Sequence, residues 1–187
     1  MTLRQETAAR TRQSLVDAGL RIAEQSGLSG LSVNRVVDEA GVSKGTFFHH
    51  FGDRASYLVA LHRGFHDRIL ADTITAIADR SPGVDRLLLG AGTYLDVCLR
   101  ERGVRALLLE ARAEPAITEE VRARNAATAT LCEPDFQAMG WPHPHQSAQL
   151  WVGMVAEAAL VEFDAGRKLT RLRTALAGFL GAEAGRT

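Results

Sequence analysis

Ser32-Val33-Asn34-Arg35-Val36-Val37-Asp38-Glu39-Ala40-Gly41-Val42-Ser43-Lys44-Gly45-Thr46-Phe47-Phe48-His49-His50-Phe51-Gly52-Asp53-Arg54 is the stretch that decides how the rest of the chain is read. Val33, Val36, Val37 and Ala40 recur at i, i+3, i+4 and i+7, the spacing of one helix face. Ser32 stands just before them, where a hydroxyl can accept an orphan backbone N–H. Gly41 follows the last apolar position, where a left-handed residue that costs glycine nothing ends many helices. Ser43 offers a second cap, opening a helix of Lys44, Gly45, Thr46, Phe47, Phe48, His49 and His50. Two helices joined by so short a turn cross steeply, with the second pushed outward. That is the helix-turn-helix arrangement, whose second helix lies in a DNA major groove.

The run Ala40-Gly41-Val42-Ser43-Lys44-Gly45-Thr46, then Phe47-Phe48-His49-His50-Phe51 and Asp53-Arg54, resembles the TetR family of transcriptional regulators. The motif's place near the N-terminus, the single helix before it and the total length agree; the remainder of the chain resembles the family in length and helical character. The resemblance implies an all-α protein. An N-terminal three-helix helix-turn-helix DNA-binding domain is expected over residues 1–55, with helix four continuing as a connector to about residue 81. A C-terminal helical domain for ligand binding and dimerisation is expected over residues 82–187, after the breaker Ser81-Pro82-Gly83.

Within the motif the resemblance implies a division of labour. Lys44 is expected on phosphate, and Thr46 on phosphate or a base edge. Gly45 permits close backbone approach at a helix N-terminus that presents amides to the groove. Ser32, Arg35, Ser43, Phe48, His49, His50 and Arg54 complete the expected DNA-binding set, with Asp53 as the cap of helix four. Two positions depart from the family: Val37 replaces a usual alanine and Phe48 a usual tyrosine. Phe48 therefore supplies apolar contact only, of the kind a thymine methyl accepts. A metal reading of His49 and His50 is disfavoured, because adjacent helical residues point about 100° apart.

The apolar fraction of 46% is ample for a core, and a length of 187 residues suits one large domain or two small ones. Formal charge sums to zero, which argues against a wholly basic nucleic-acid binder. Residues 1–70 nevertheless carry nine Lys/Arg against seven Asp/Glu, the sign expected of a DNA-binding end. Histidines there could add positive charge near phosphates. Cys98 and Cys132 make no disulfide framework and no CxxC pair for zinc. No apolar run approaches the roughly 20 residues of a membrane span, and the N-terminus is polar, so a cytoplasmic protein without membrane contact is expected.

Taken in order, the first six residues read as an arm and a helix begins at about Thr7, with Arg4, Arg10 and Arg12 near its start. Those arginines are either solvated or set to touch phosphate. Tyr57, Leu58, Leu61, Phe65 and Ile69 form a helical stripe running to about Arg80. Residues 84–102 are apolar nearly all round and read as a central, mostly buried helix. Val104–Ala113 reads as another helix, and residues 133–145, with Pro134, Gly140, Pro142 and Pro144, as the most loop-like stretch. His143 and His145 belong to that loop. Residues 145–164 and 169–184 read as an antiparallel pair, expected to form a homodimer.

The resulting expectation is a DNA-binding regulator, a repressor released from a palindromic operator by a small molecule. Tyr94, Cys98, Phe136, Trp151, Met154 and Glu157 are candidate effector-binding residues. Glu157 and Glu162 are singled out because a carboxylate on an apolar helix must meet water, a partner or a ligand. The alternatives are a DNA-binding protein without an effector and a protein-interaction adaptor. Neither a nucleophile–base spacing, nor a phosphate loop, nor G-x-S-x-G or H-E-x-x-H appears, so no enzyme, catalytic residue, metal or cofactor is expected.

Overall fold

The structure is a computed structural model that describes residues 2–27, 30–101, 109 and 115–181. Among the described residues there are eight helices and no strand: α1 (Leu3–Ser26), α2 (Val33–Ala40), α3 (Lys44–Phe51), α4 (Arg54–Ile77), α5 (Val84–Arg100), α6 (Pro115–Ala138), α7 (Pro144–Ala165) and α8 (Thr170–Gly178). They fall into two compact units. One comprises Met1–Arg68 with Glu101–Glu120, the other Ile69–Arg100 with Val121–Thr187. Helix α4 contributes residues to both.

In the first unit, α1 starts at Leu3 rather than near Thr7. Thr2 Oγ1 accepts from the Gln5 N–H, and Gln5 Oε1 accepts from the Thr2 N–H at 2.8 Å. This reciprocal capping box satisfies two orphan donors and draws the helix forward, so the expected arm is its first turn. Leu15, Ala18, Ile22 and Ala23 of α1 are buried, as are Val36 and Val37 of α2 and Phe47 and Phe51 of α3. Each fully buried large side chain contributes roughly 1.5–3 kcal/mol. Val37, although bulkier than the alanine expected there, is 4% exposed, so the core admits it.

Helices α1 and α4 approach closely. Tyr57 Oη donates to the Leu15 carbonyl at 2.8 Å, passing over Gly19, where no side chain intervenes. Burial pushes the Tyr57 phenol far above its ordinary pKa, so it remains a donor. Tyr57 meets Phe47 and Phe51 edge-on at 4.8 and 4.9 Å between centroids, and the two phenylalanines lie tilted at 5.3 Å. These rings fix α3 from beneath.

In the second unit, α5 packs against α7, and α7 against α8. The expectation that α5 is buried nearly all round does not hold. Leu87, Ala91, Leu95, Val97 and Cys98 are buried, but Asp96 is exposed and Tyr94 and Leu99 are half-buried. Asp96 has a partner to reach, described below.

The expected loop over residues 133–145 is also much shorter. Helix α6 continues through Pro134 to Ala138 because its last turn is held by side chains. Asp135 is buried and accepts from Arg86 Nε at 2.6 Å, Arg86 Nη2 at 2.7 Å and the Gly83 N–H at 2.8 Å. Phe136 is buried against Trp141 at 5.1 Å. Those contacts outweigh the one helical hydrogen bond that proline cannot make. His145 lies in the first turn of α7, its Nδ1 2.9 Å from Glu133 Oε2, while His143 is exposed at the helix start. The helix expected over Val104–Ala113 lies outside the described residues, Leu109 apart.

Candidate nucleic-acid interface

Gly41 ends α2 in the left-handed conformation, φ 67° and ψ 34°, which only glycine adopts without cost. The Val42 N–H then donates to the Val37 carbonyl at 3.0 Å, closing the turn. Ser32 caps α2 by accepting from the Arg35 N–H, and Ser43 caps α3 by accepting from the Thr46 N–H at 3.1 Å. A three-residue link between two capped helices therefore sets their crossing, as the sequence indicates.

The exposure pattern of α3 separates two faces. Phe47 and Phe51 point into the core, while Lys44, Gly45, Phe48 and His49 are exposed and Thr46 and His50 half-buried. Outward lie an ammonium, a bare glycine backbone, an aromatic ring and an imidazole. Arg54 is exposed at the start of α4, beside Asp53, whose Oδ1 accepts from the Ser56 N–H at 2.7 Å. That bond, to a backbone donor, holds the Asp53 carboxyl below its ordinary pKa.

The expected contact residues are not equivalent in the structure. Ser43, Lys44, Gly45, Thr46, Phe48, His49, His50 and Arg54 gather on or beside α3, with the Ser43 and Thr46 hydroxyl oxygens 3.0 Å apart. Ser32 and Arg35 sit at the start of α2. Arg35 Nη1 donates to the Gly30 carbonyl at 2.8 Å and to Ser26 Oγ at 3.3 Å, so its guanidinium braces the end of α1. The motif pattern could not reveal this, because the acceptors precede the motif.

Arg12 is the notable addition. Its guanidinium lies 5.0 Å above the Phe51 ring, a cation–π contact that sets a charge beside the C-terminal half of α3. Burial first, then His49 and then Arg12 hold the His50 imidazole below its ordinary pKa. The charge of His50 is thus disfavoured near neutral pH, contrary to the simplest sequence reading.

The candidate effector residues are dispersed. Cys98, Phe136 and Trp151 are core residues, Tyr94 and Met154 are half-buried, and Glu157 is exposed. None of them lines the open groove of about 300 Å³ between α5 and α8, which is bordered by Leu88, Leu95, Lys168, Arg173 and Thr174 among others. Glu162 departs furthest from expectation. It is fully buried, and its oxygens accept from Arg173 Nε at 2.7 Å, Arg173 Nη2 at 2.6 Å and the Leu169 N–H at 2.9 Å. Arg173 Nη1 also donates to Asp96 at 2.6 Å, so this carboxylate faces an internal partner rather than ligand or solvent. Burial pushes the Cys132 thiol up to about 11, with Asp135 adding to the effect, which removes its nucleophilic form. No helix among the described residues is long and apolar enough to cross a membrane.

Fold and site together define an all-helical helix-turn-helix protein with a second helical unit. Residues 15–61 match the family model described as bacterial regulatory proteins, tetR family. Among curated relatives, an HTH-type transcriptional repressor AcnR of Corynebacterium efficiens is 34% identical over 65 residues, 35% of this chain and 34% of that protein. The HTH-type transcriptional regulator BetI of Paraburkholderia phymatum is 42% identical over 87 residues, 46% of this chain and 44% of that protein. The matched stretch thus spans about a third to under half of these relatives' lengths. A transcriptional regulator from Rhodococcus sp. Rha1 of known structure superposes with a TM-score of 0.75 at 26% identity, over 91% of this chain and 94% of that one. The multidrug binding protein EbrR, solved with imidazole, shares the fold at a TM-score of 0.73 and 21% identity, over 93% of this chain and 92% of its own.

Proposed function

We propose that the chain is a sequence-specific transcriptional regulator, acting as a homodimer on a palindromic operator and released from it by a small molecule. The observation that carries the proposal is the outward face of α3, where Lys44, Gly45, Phe48 and His49 are exposed while Phe47 and Phe51 anchor the helix. On this reading Lys44 and Arg54 neutralise phosphates, Ser43 and Thr46 place hydroxyls at the groove edge, and Gly45 lets the backbone approach. His49 and His50 face the sugar–phosphate backbone, and Ser32 and Arg35 lie at the flank. Residues 1–55 act as the DNA-binding part, α4 as the connector and residues 82–187 as the effector and dimer part.

Dimerisation through residues 145–184 fits the exposed stripe of α7. Leu150, Gly153, Glu157 and Val161 follow helical spacing, and Leu150 is 71% and Val161 38% exposed. Phe179, which the sequence pattern placed on the packed stripe of the last helix, is 64% exposed instead. Apolar area of this kind on a helix pair suits a second copy of the same surface.

Selection of duplexes from a random pool with the full chain tests the function. Enrichment of inverted repeats is expected; retention of no duplex would reject it. With an enriched duplex, Lys44→Ala and Arg54→Ala should each weaken binding across sequences. Each should also make log affinity depend less steeply on log salt, by about one for every phosphate left without its cation in each protomer. An unchanged slope would show that these side chains do not neutralise phosphate.

A pH dependence follows from His50. Its folded-state imidazole titrates below the ordinary value and phosphate favours the charged form, so affinity should rise as pH falls through and below the ordinary histidine range. Anisotropy titrations between pH 7.5 and 5.5 should show this rise in the parent and a flatter profile in His50→Gln. Identical profiles would place His50 away from the backbone.

A further inference from the structure

We infer that Phe48 is a specificity-determining residue that reads the C5-methyl group of one thymine in each operator half-site. The inference rests on the DNA-binding reading above and adds to it which base feature the helix recognises. Phe48 is 49% exposed at the centre of the outward face of α3, one turn beyond Lys44 and next to His49. Every other group on that face is polar, charged or a bare glycine. Gly45, three residues earlier, adds no side chain to this face, and among the described residues the nearest atom beyond its chain neighbours and the helix backbone to its vacant side-chain position is Ser43 Oγ at 3.6 Å.

The ring adjoins the buried aromatic set. Phe47 meets it edge-on, with centroids 5.4 Å apart and planes at 85°, and Phe47 is itself locked by Phe51 and Tyr57. Phe48 is therefore the outermost member of an aromatic set rooted in the core. It carries no donor or acceptor, so it cannot reward a phosphate or a polar base edge. The apolar feature that a major groove offers is the thymine methyl. A residue of this kind discriminates by apolar contact, and the exposed cations Lys44, on the same helix, and Arg54, at the start of α4, complement the phosphates that flank such a base.

The test uses the full chain and a duplex enriched from the random pool, resynthesised with deoxyuridine in place of one thymine at a time. Deoxyuridine keeps every hydrogen-bonding group and removes only the methyl. At one thymine per half-site the parent should lose about fourfold in affinity, the worth of one buried methyl group. Phe48→Ala should bind the thymine and deoxyuridine duplexes with a ratio near one, and Phe48→Leu should restore part of the discrimination. Because the ring is half-exposed, both variants should keep the parent's melting temperature within a few degrees. A parent ratio near one at every thymine, enriched half-sites without thymine, or a ratio that survives in Phe48→Ala would overturn the assignment while leaving DNA binding intact. Retention of no duplex by the parent would overturn the DNA reading beneath it.

Discussion

Gly19→Ala is expected to melt at a temperature about 10 °C below the parent, a loss of roughly 3–5 kcal/mol. A methyl group at residue 19 would overlap the Tyr57 hydroxyl and come within 2.7 Å of Leu61 Cδ2. Both neighbours are buried, Tyr57 at 2% and Leu61 at 0% exposure, so neither can swing into solvent. Displacing Tyr57 also breaks its bond to the Leu15 carbonyl, leaving a buried hydroxyl unsatisfied at a cost of about 1–3 kcal/mol. The strain reaches the DNA-facing surface as well, because Tyr57 packs on Phe47 and Phe51 of α3. Gly45→Ala supplies the contrast. With open space around it, that change should leave melting unaffected or slightly improved, yet weaken DNA binding by adding bulk to the outward face. Thermal unfolding followed by circular dichroism reads both variants. A Gly19→Ala protein as stable as the parent would refute the close approach of α1 and α4.

The second large effect is expected at Arg173. Replacing it by Met leaves the Glu162 carboxylate at zero exposure with only the Leu169 N–H, at a cost of about 3–5 kcal/mol near neutral pH. The pH dependence identifies the cause. In the parent, burial alone would raise the Glu162 pKa, but the Arg173 hydrogen bonds and the Leu169 N–H outweigh it and hold the carboxyl below its ordinary value. That contribution is present above the ordinary glutamate value and is lost as pH falls through the folded one. In Arg173→Met burial is opposed by the Leu169 N–H alone, so the deficit should be largest at pH 7 and shrink as pH falls and Glu162 takes up a proton. The double variant Arg173→Met with Glu162→Leu should recover most of the lost stability. Denaturant titrations at two pH values check both points, and a deficit independent of pH would mean that packing rather than charge is at stake.

Much of the first unit was legible in the sequence because its signals are local. A valine stripe, a glycine after it and two serine caps lie within twelve residues, and each is satisfied by a neighbour three or four positions away. The features that were not legible depend on distant partners. Gly19 looks like a weak point in a helix until Tyr57, far along the chain, is seen lying across it. Pro134 looks like a loop residue until Asp135 is found clasped by Arg86. Glu162 looks like a ligand contact until Arg173 is found beside it. Thr2 and Gln5 are the exception, a local capping box that the apolar periodicity hides because it starts later.

The candidate DNA face followed the same rule. Residues 43–50 form one short helix with its cap, so their grouping follows from spacing alone. Arg35 is tied back to Ser26 and Gly30, and the effector candidates scatter between core and surface, because side-chain direction in the second unit is set by tertiary packing. Apolar character in a helix cannot distinguish a residue that lines a cavity from one that fills the core.

The central claim is that α3 is presented twice, by two protomers, to successive major grooves. Sedimentation of the full chain with an enriched duplex, and with the same duplex carrying five extra base pairs between its half-sites, tests it most directly. Two protomers, or a whole multiple of two, on the first duplex and a loss of tight binding on the second are expected, since half a helical turn puts the half-sites on opposite faces of the DNA. A single protomer bound equally well to both would contradict the account.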